Sequence, residues 1–186
     1  GIGYVPADRK TTGILPDLSV LHNITIGILD RIRRGPFIDG KQDQDVMNEY
    51  GEKLSLRYSS PAQRASNLSG GNQQKLIHAR ALAEECRVFL LADPTRGVDV
   101  GAKAEIYSLI DMLVEAGMAV LVQSSELPEL IRLANRCLVF AQGEPRGELV
   151  GKEITQPAVM ALATGVVNGP DFKLLQSEPQ SQEAVL

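Results

Sequence analysis

A serine and two glycines stand at the start of a predicted helix, within the segment LSGGNQQK of residues 68–75. The first turn of a helix carries unpaired backbone amides and the positive end of the helix dipole, which together can hold an anion. In that position the Ser69 hydroxyl can donate a hydrogen bond, while Gly70 and Gly71 let a phosphate approach the backbone closely. The alternative is that Ser69 is an ordinary helix N-cap without a ligand. Ser-Gly-Gly alone favours the cap.

The elements that would position this motif alternate between strands and helices along the chain. A helix begins at the two glycines, and the apolar run VFLLA at residues 88–92 suits a buried parallel strand. Further strands are expected at 2–6, 118–123, 136–141 and 148–150, and further helices at 20–33, 43–56, 102–116, 129–135 and 156–163, the first of them capped by Ser19. This alternation predicts an α/β fold with a parallel sheet and right-handed crossovers.

The composition indicates one mid-sized domain of mixed charge. Of 186 residues 44% are hydrophobic, and 23 acidic against 19 basic residues give a net charge of −4. No long basic face is available for a phosphate backbone, so nucleic acid is not expected as a partner. Cys86 and Cys137 lack the spacing of metal or disulfide scaffolds and are expected to be reduced core residues. Without a membrane-spanning window or a signal peptide, the protein is expected to be soluble or bound peripherally to a membrane protein.

The longer string around the serine resembles the LSGGQ signature of the ABC ATPase family, in the LSGGNQQK form typical of its sugar-import members. A string of this length is too rare by chance to be explained by capping alone. The opening residues 2–15 are similar to the segment around the family's Q-loop. Residues 92–103 resemble its Walker B and D-loop region, and residues 120–130 are similar to its switch region. The resemblance covers residues 1 to about 165, in the expected order.

This resemblance implies a partial, C-terminal nucleotide-binding domain over residues 1–165. Its expected fold is α/β, a partial parallel sheet like that of P-loop NTPases with helices, plus the ABC helical subdomain. The helical subdomain is expected at about 19–84 and the sheet core at 1–6 and 87–150. Residues 166–186 form a tail that is predicted to be disordered because it is polar and weakly patterned. The family's GxxxxGK(S/T) phosphate loop lies upstream and none occurs here, so the chain is expected to be truncated before Gly1, without the phosphate-loop strand.

In the family, two nucleotide-binding domains face each other, and each ATP lies between the phosphate loop of one and the signature of the other. The resemblance therefore implies that Ser69, Gly70 and Gly71 contact the γ-phosphate of ATP held by a partner domain, with Gln73 or Gln74 nearby. ATP and Mg²⁺ would be bound mainly by the partner's phosphate loop. No metal ligand is predicted in this chain itself.

Four positions that serve a domain's own phosphate loop depart from the family pattern. The Walker B pair aligns with Ala92 and Asp93, the Q-loop glutamine with Ala7 and the switch histidine with Ser125. Asp93 and Ser125 thus hold the catalytic positions in degenerate form, and slow or no hydrolysis is expected there. Each can instead be a capping residue. Asp99 matches the D-loop aspartate, which communicates across the dimer, and can also cap the helix that follows it.

The expected function is that of an ATP-binding subunit of a ribose-, galactose- or xylose-type sugar importer, with ATP hydrolysis driving uptake. Its implied partners are an upstream or second ABC nucleotide-binding domain, a membrane permease that docks on helices within 19–56 and, indirectly, a periplasmic sugar-binding protein. The implied location is the cytoplasmic face of the inner membrane. The alternative is a non-catalytic regulatory or scaffold module that binds no ATP by itself. An ABC head of a DNA-repair protein would require coiled coils and basic patches, which the sequence lacks.

Overall fold

The structure is a computed structural model that describes residues 1–165. The predicted disordered tail at 166–186 lies outside the described residues. The chain divides into two compact units, Gly1–Glu126 and the part from Leu127 onward. In the described part, no helix is long and apolar enough to span a bilayer. Cys86 and Cys137 are both free and buried, which confirms their predicted place in the core.

The first unit contains most of the secondary structure. Its elements are, in chain order, β1 (Ile2–Val5), a π-helical turn (Arg9–Gly13), α1 (Val20–Thr25), a 3-10 turn (Ile26–Ile28), α2 (Leu29–Ile32), β2 (Arg33–Arg34), β3 (Phe37–Ile38), α3 (Gly40–Lys53), a 3-10 turn (Ala65–Asn67), α4 (Gly70–Ala83), β4 (Val88–Ala92), α5 (Val100–Glu115) and β5 (Ala119–Gln123).

Three of these strands form a parallel sheet in the order β1-β4-β5. Val5 and Leu91 pair in this sheet and are both buried, since alternate residues of each strand point to the same face. The opposite face carries Ile2, Tyr4 and Leu121, which are 66%, 60% and 65% exposed. The predicted parallel sheet is thus confirmed for three strands, and their carboxyl ends place the loops after β4 and β5 at one edge.

The helices of the first unit pack on one another, with α4 in contact with α1, α3 and β1. Ser19 caps α1 as predicted, because its side chain accepts a hydrogen bond from the His22 amide. The single helix predicted at 20–33 is instead divided into α1, a 3-10 turn and α2. Gly27 lies in that turn, where a Cβ would come within 2.3 Å of Glu84 Oε1.

A buried asparagine and arginine join α1 to α4. Asn23 is fully buried, and its Oδ1 accepts hydrogen bonds from the Leu15 amide at 2.9 Å and from Arg80 Nη2 at 2.6 Å. Arg80 also donates to the carbonyl oxygens of Asn23 and Gly13. Burial lowers the pKa of Arg80. These bonds hold the loop that follows the π-helical turn against the helical layer, because each buried donor has an acceptor.

The second unit contains α6 (Leu127–Leu133), β6 (Arg136–Ala141), β7 (Glu144–Val150), a 3-10 turn (Gly151–Glu153) and α7 (Gln156–Thr164). The strands β6 and β7 form an antiparallel hairpin of their own, and the parallel sheet expected from the alternation of strands and helices does not include them. The turn of this hairpin consists of Gln142 and Gly143, whose φ angles of 55° and 81° suit a tight two-residue connection. Strand β7 is accordingly longer than the predicted strand at 148–150. Leu149 and Leu162 belong to the buried core of this unit.

Candidate functional site

Ser69 lies just before α4 and caps it. Its backbone is extended, with φ −61° and ψ 158°, and its Oγ accepts a hydrogen bond from the Asn72 amide at 3.4 Å. The same Oγ also accepts from Asn72 Nδ2 at 2.9 Å. The capping interpretation of Ser69 is therefore confirmed, by a long hydrogen bond. Ser69 is nevertheless exposed, so its hydroxyl also faces solvent at the positive end of a 14-residue helix.

The two glycines of the signature lie against other parts of the first unit. A Cβ on Gly70 would lie 2.9 Å from Arg9 Nη2, closer than side chains normally approach. A Cβ on Gly71 would lie 3.3 Å from the Cβ of Ala102 in α5. The absence of side chains thus permits close packing inside the protein as well as access for a ligand.

The glutamines of the signature helix differ in exposure and in use. The Gln73 side-chain amide donates to the carbonyl oxygen of Ala65 at 3.3 Å, in the turn before α4. Gln74 is only 3% exposed and points into the protein. Gln73 therefore lies nearer to the surface of the signature turn than Gln74, and its amide helps to hold that turn in place.

Asp93 and Ser125 meet at the carboxyl edge of the parallel sheet. Asp93 Oδ1 accepts hydrogen bonds from the Ser125 amide at 2.6 Å and from the Ser125 hydroxyl at 2.9 Å. The Asp93 amide donates to the carbonyl oxygen of Gln123 at 2.7 Å. Asp93 has a φ of 42°, in the left-handed region that is rare for residues other than glycine. The alternative of a strand-end carboxylate that caps a nearby amide is thus what Asp93 adopts.

Asp99 caps α5, the helix that follows this loop. Its side chain accepts a hydrogen bond from the Ala102 amide at 3.0 Å, as the capping alternative predicted. The turn before it uses Gly97, with a φ of 67°, a conformation that favours glycine. Because Ala102 also lies next to Gly71, the beginnings of α4 and α5 lie side by side. The structure therefore brings Asp99 and the signature turn into one region.

The chain's similarity to known proteins agrees with this arrangement. Residues 1–96 match the family described as "ABC transporter". The chain belongs to this ABC transporter family. It is 45% identical over 179 residues to the xylose import ATP-binding protein XylG of Burkholderia ambifaria, a match of 96% of this chain and 34% of the relative. It is 43% identical over 178 residues to the ribose import ATP-binding protein RbsA 2 of Rubrobacter xylanophilus, with the same shares. The chain thus spans about a third of the length of these relatives.

Solved structures support the same ABC fold. The chain is similar to a putative metal-chelate type ABC transporter in an inward-facing conformation, with a TM-score of 0.71 at 22% identity, covering 88% of this chain and 64% of the other. It is also similar to the dimeric ATP-binding cassette MJ0796 bound to ADP and Pi, with a TM-score of 0.66 at 25% identity, covering 80% and 62%. The predicted ABC family and its α/β fold are confirmed.

The end of β4, where the ABC resemblance places a magnesium ligand and a base, does not suit magnesium. Ala92 has no side-chain oxygen, and Asp93 Oδ1 already accepts two hydrogen bonds from Ser125. Mg²⁺ requires near-ideal octahedral oxygen coordination. Among residues 1–165, no group of three or more His, Cys, Asp or Glu side chains is placed to hold a metal. The side chains at this edge therefore do not fit a magnesium ion.

The structure also reveals residues near the ABC signature that the sequence had not singled out. Asn72 binds Ser69 and accepts a hydrogen bond from the Arg57 amide at 2.8 Å. Its place directly after the LSGG string, where the family signature has glutamine, was a usable signal. Lys75 forms an ion pair with Glu105 of α5 at 2.5 Å, and nothing in the local sequence indicates this contact. Arg9 lies beside Gly70, which is far from it in the sequence, so the pattern of neighbouring residues could not predict this contact either.

Proposed function

We propose that this chain acts in the ATP-binding subunit of a sugar importer, where its signature turn completes an ATP site whose phosphate loop belongs to another nucleotide-binding domain. The similarity to proteins named as xylose and ribose import ATP-binding proteins supports the sugar-import assignment. The phosphate loop is assigned to another domain because the ABC resemblance places each ATP between the signature of one domain and the phosphate loop of the other. Hydrolysis at the shared site would drive uptake of the sugar.

The exposed hydroxyl of Ser69 is the observation that carries this proposal. Amides in the first turn of α4, including those of Gly70 and Gly71, have no acceptor within the helix. Together with the hydroxyl they form a set of donors at the positive end of the dipole, which suits a phosphate oxygen. Gln73 lies one turn along the helix, and Asp99 lies at the start of the adjacent helix. We assign the γ-phosphate contact to Ser69, Gly70 and Gly71, and the dimer contact to Asp99.

We further propose that the chain's own catalytic positions do not support hydrolysis. Asp93 stands at the position of the Walker B glutamate, and its carboxylate is bound by the amide and hydroxyl of Ser125. A general base must reach the attacking water, and Ser125 cannot provide the proton transfer of a histidine. Ala7 and Ala92 offer no polar side-chain atom to phosphate or metal. ATP and Mg²⁺ would thus be held mainly by the partner domain.

The remaining parts of the assembly follow from the same assignment. We propose a second ABC nucleotide-binding domain as the direct partner, a permease as the membrane anchor and a periplasmic sugar-binding protein as an indirect partner. Helices within 19–56, part of a helical subdomain at about 19–84, would contact the permease, and the strands at 1–6 and 87–150 would form the core. The chain would then lie at the cytoplasmic face of the inner membrane as a peripheral subunit.

Substitution of Ser69 by arginine tests the signature role. The chain is mixed with a nucleotide-binding domain that carries a phosphate loop, and ATP hydrolysis is measured against the concentration of added chain. Removal of one donor to a developing charge commonly costs 10²–10³-fold in rate, so Ser69→Arg should lower the stimulated rate by about 100-fold. Ser108→Arg is the matched control, because Ser108 is an exposed serine in the middle of α5. An unchanged rate with Ser69→Arg would refute the signature role.

The alternative function is a non-catalytic module that binds no ATP by itself. The engagement of Asp93 by Ser125 favours this alternative for the chain in isolation. Titration of the chain with labelled ATP, with and without the partner domain, separates the two functions. If the chain raises neither ATP binding nor ATP hydrolysis by the partner, the regulatory or scaffold function is favoured.

A further inference from the structure

Arg9 lies between two loops that the proposed function assigns to ATP and to the dimer. It begins the π-helical turn Arg9–Gly13 after β1. Its Nη1 donates to the carbonyl oxygen of Gly97 at 3.1 Å and lies 3.5 Å from that of Arg96. Its Nη2 occupies the space beside Gly70, 2.9 Å from the position of a Cβ there. One guanidinium group therefore touches the first turn of α4 and the loop that precedes α5.

We propose that Arg9 is a positioning residue that holds the signature turn against the loop before α5, and that Gly70 lacks a side chain because Arg9 occupies the adjacent space. This inference rests on the proposed function, since it assigns Arg9 to the geometry of the signature. It also gives Gly70 a role inside the protein that differs from access for a phosphate. Arg9 acts through Gly70 and Gly97 and is not assigned a contact with ATP.

The chemistry of the side chain suits this position. A guanidinium is planar, donates in its plane and can pack with its apolar faces against backbone. Lysine can donate to the Gly97 carbonyl oxygen but has no planar group to lie beside Gly70. Arg9 is also partly buried, and its Nε is enclosed without a hydrogen-bond acceptor, so the group is held by packing as well as by hydrogen bonds. Gly71 against Ala102 provides a second contact between the two helix starts.

A Cβ on Gly70 would collide mainly with the guanidinium group of Arg9. The guanidinium is the mobile end of a long side chain, so Gly70→Ala should displace Arg9 from Gly97 while α4 remains folded. The matched control is Gly40→Ala, because Gly40 also begins a 14-residue helix, α3, and a Cβ there would have no neighbour within 4 Å. Alanine favours helices over glycine at both positions, so helix propensity is the same in the two variants.

A double-mutant cycle in the free chain tests the proposal without ATP. The Val98 amide follows the Gly97 carbonyl group, so its ¹⁵N–¹H resonance reports the Arg9 hydrogen bond. We expect Gly70→Ala to shift this resonance in the wild-type background and to leave it unchanged in the Arg9→Met background, because coupled residues are not additive. Gly40→Ala should shift it in neither. Equal shifts in both backgrounds, or none in the wild type, would overturn the proposal. If Arg9→Met does not fold, as judged by circular dichroism, Arg9→Lys takes its place.

A second cycle measures ATP hydrolysis in the mixture with the partner domain. We expect Gly70→Ala to lower kcat by about tenfold in the wild-type background and by only about threefold with Arg9→Met, where the loss at the phosphate contact remains, a non-additivity typical of residues in contact. The KM for ATP should stay within about twofold, since the partner's phosphate loop holds most of the nucleotide. An equal loss in both backgrounds would mean that Gly70 is needed for the ligand alone, which contradicts this role for Arg9. If Ser69→Arg did not lower the stimulated ATPase rate, the proposed function would be refuted. The double-mutant cycle on the Val98 resonance would still decide whether Arg9 holds the signature turn.

Discussion

The signature turn and the end of β4 each present a short oxygen-bearing side chain, Ser69 and Asp93, but the two oxygens are used differently. Ser69 Oγ accepts two hydrogen bonds from Asn72, at 3.4 and 2.9 Å, but its hydroxyl is exposed and can still donate. Asp93 Oδ1 receives two hydrogen bonds from Ser125, both shorter than 3 Å. Both oxygens thus have partners within the protein, but the Ser69 hydroxyl can also donate to a ligand, whereas the Asp93 carboxylate can only accept.

This difference teaches that the loop after β4 can lie beside the signature turn while its first carboxylate is bound within the protein. The loop after β4 still ends at a capped helix, through Asp99, and still lies beside the signature turn. The carboxylate at its start now joins β4 to the loop after β5. A site that hydrolyses ATP needs that carboxylate free to reach water. A site that only presents a signature needs the signature turn and the loop after β4 to keep their positions relative to each other.

The largest expected effect on stability is at Asp93. Asp93→Ala removes the charged acceptor of two hydrogen bonds and should lower the free energy of unfolding by about 2 kcal/mol. The measurement is urea denaturation of the purified chain, with the slope compared to show that the unfolding transition is otherwise unchanged. The stimulated ATPase rate in the mixture with the partner domain should stay within about twofold of wild type, since Asp93 has no assigned role at the shared site.

Two further variants distinguish the contribution of the Asp93 hydrogen bonds to stability from the cost of its left-handed backbone conformation. Asp93→Asn keeps an uncharged acceptor, so its loss should be smaller. Asp93→Gly removes the acceptor but relieves the left-handed conformation, so it should be more stable than Asp93→Ala by about 1 kcal/mol. A large loss of stimulated ATPase with Asp93→Asn, at normal stability, would contradict the comparison, because it would show that this carboxylate takes part in catalysis.

The next largest effect on stability is expected at Ser125, the donor in the contact with Asp93. Ser125→Ala removes the 2.9 Å hydroxyl bond but keeps the 2.6 Å amide bond to Asp93. The loss of one exposed hydrogen bond should lower the free energy of unfolding by about 0.5–1 kcal/mol. Thermal and urea unfolding measure it, and the double variant with Asp93→Ala should cost less than the sum of the two single losses. Additive losses would show that the two side chains do not act together.

The sequence predicted those features that depend on local pattern. The start of α4 at two glycines, the strand β4 and the capping alternatives at Ser69 and Asp99 are all visible within a few neighbouring residues. Segments that resemble the family's motifs occur in the expected order, so the ABC family could also be predicted. These features are encoded by short-range chemistry, which a single sequence displays directly.

Features that depend on distant contacts were not predicted. Arg9 lies beside Gly70 and hydrogen-bonds Gly97 only because β1 and β4 are adjacent in the sheet. The sequence predicted a turn at 142–147 between the strands at 136–141 and 148–150, but not that Gln142 and Gly143 alone form it and make β6 and β7 an antiparallel pair. The short separation of the two strands excludes a parallel crossover, and this spacing was the available signal.

The smallest expected effect is the difference, about 0.5 kcal/mol, between the stability losses on removing the two helix caps. Asp99 accepts from the Ala102 amide at 3.0 Å, whereas Ser69 accepts from the Asn72 amide at 3.4 Å. Loss of an N-cap costs about 0.5–2 kcal/mol, and the shorter, charged bond belongs at the upper part of that range. Asp99→Ala should thus lower the free energy of unfolding by about 1 kcal/mol and Ser69→Ala by about 0.5 kcal/mol. If urea denaturation gave Ser69→Ala the larger loss, Ser69 would be primarily a cap, and its hydroxyl would not be the free donor on which the contrast with Asp93 depends.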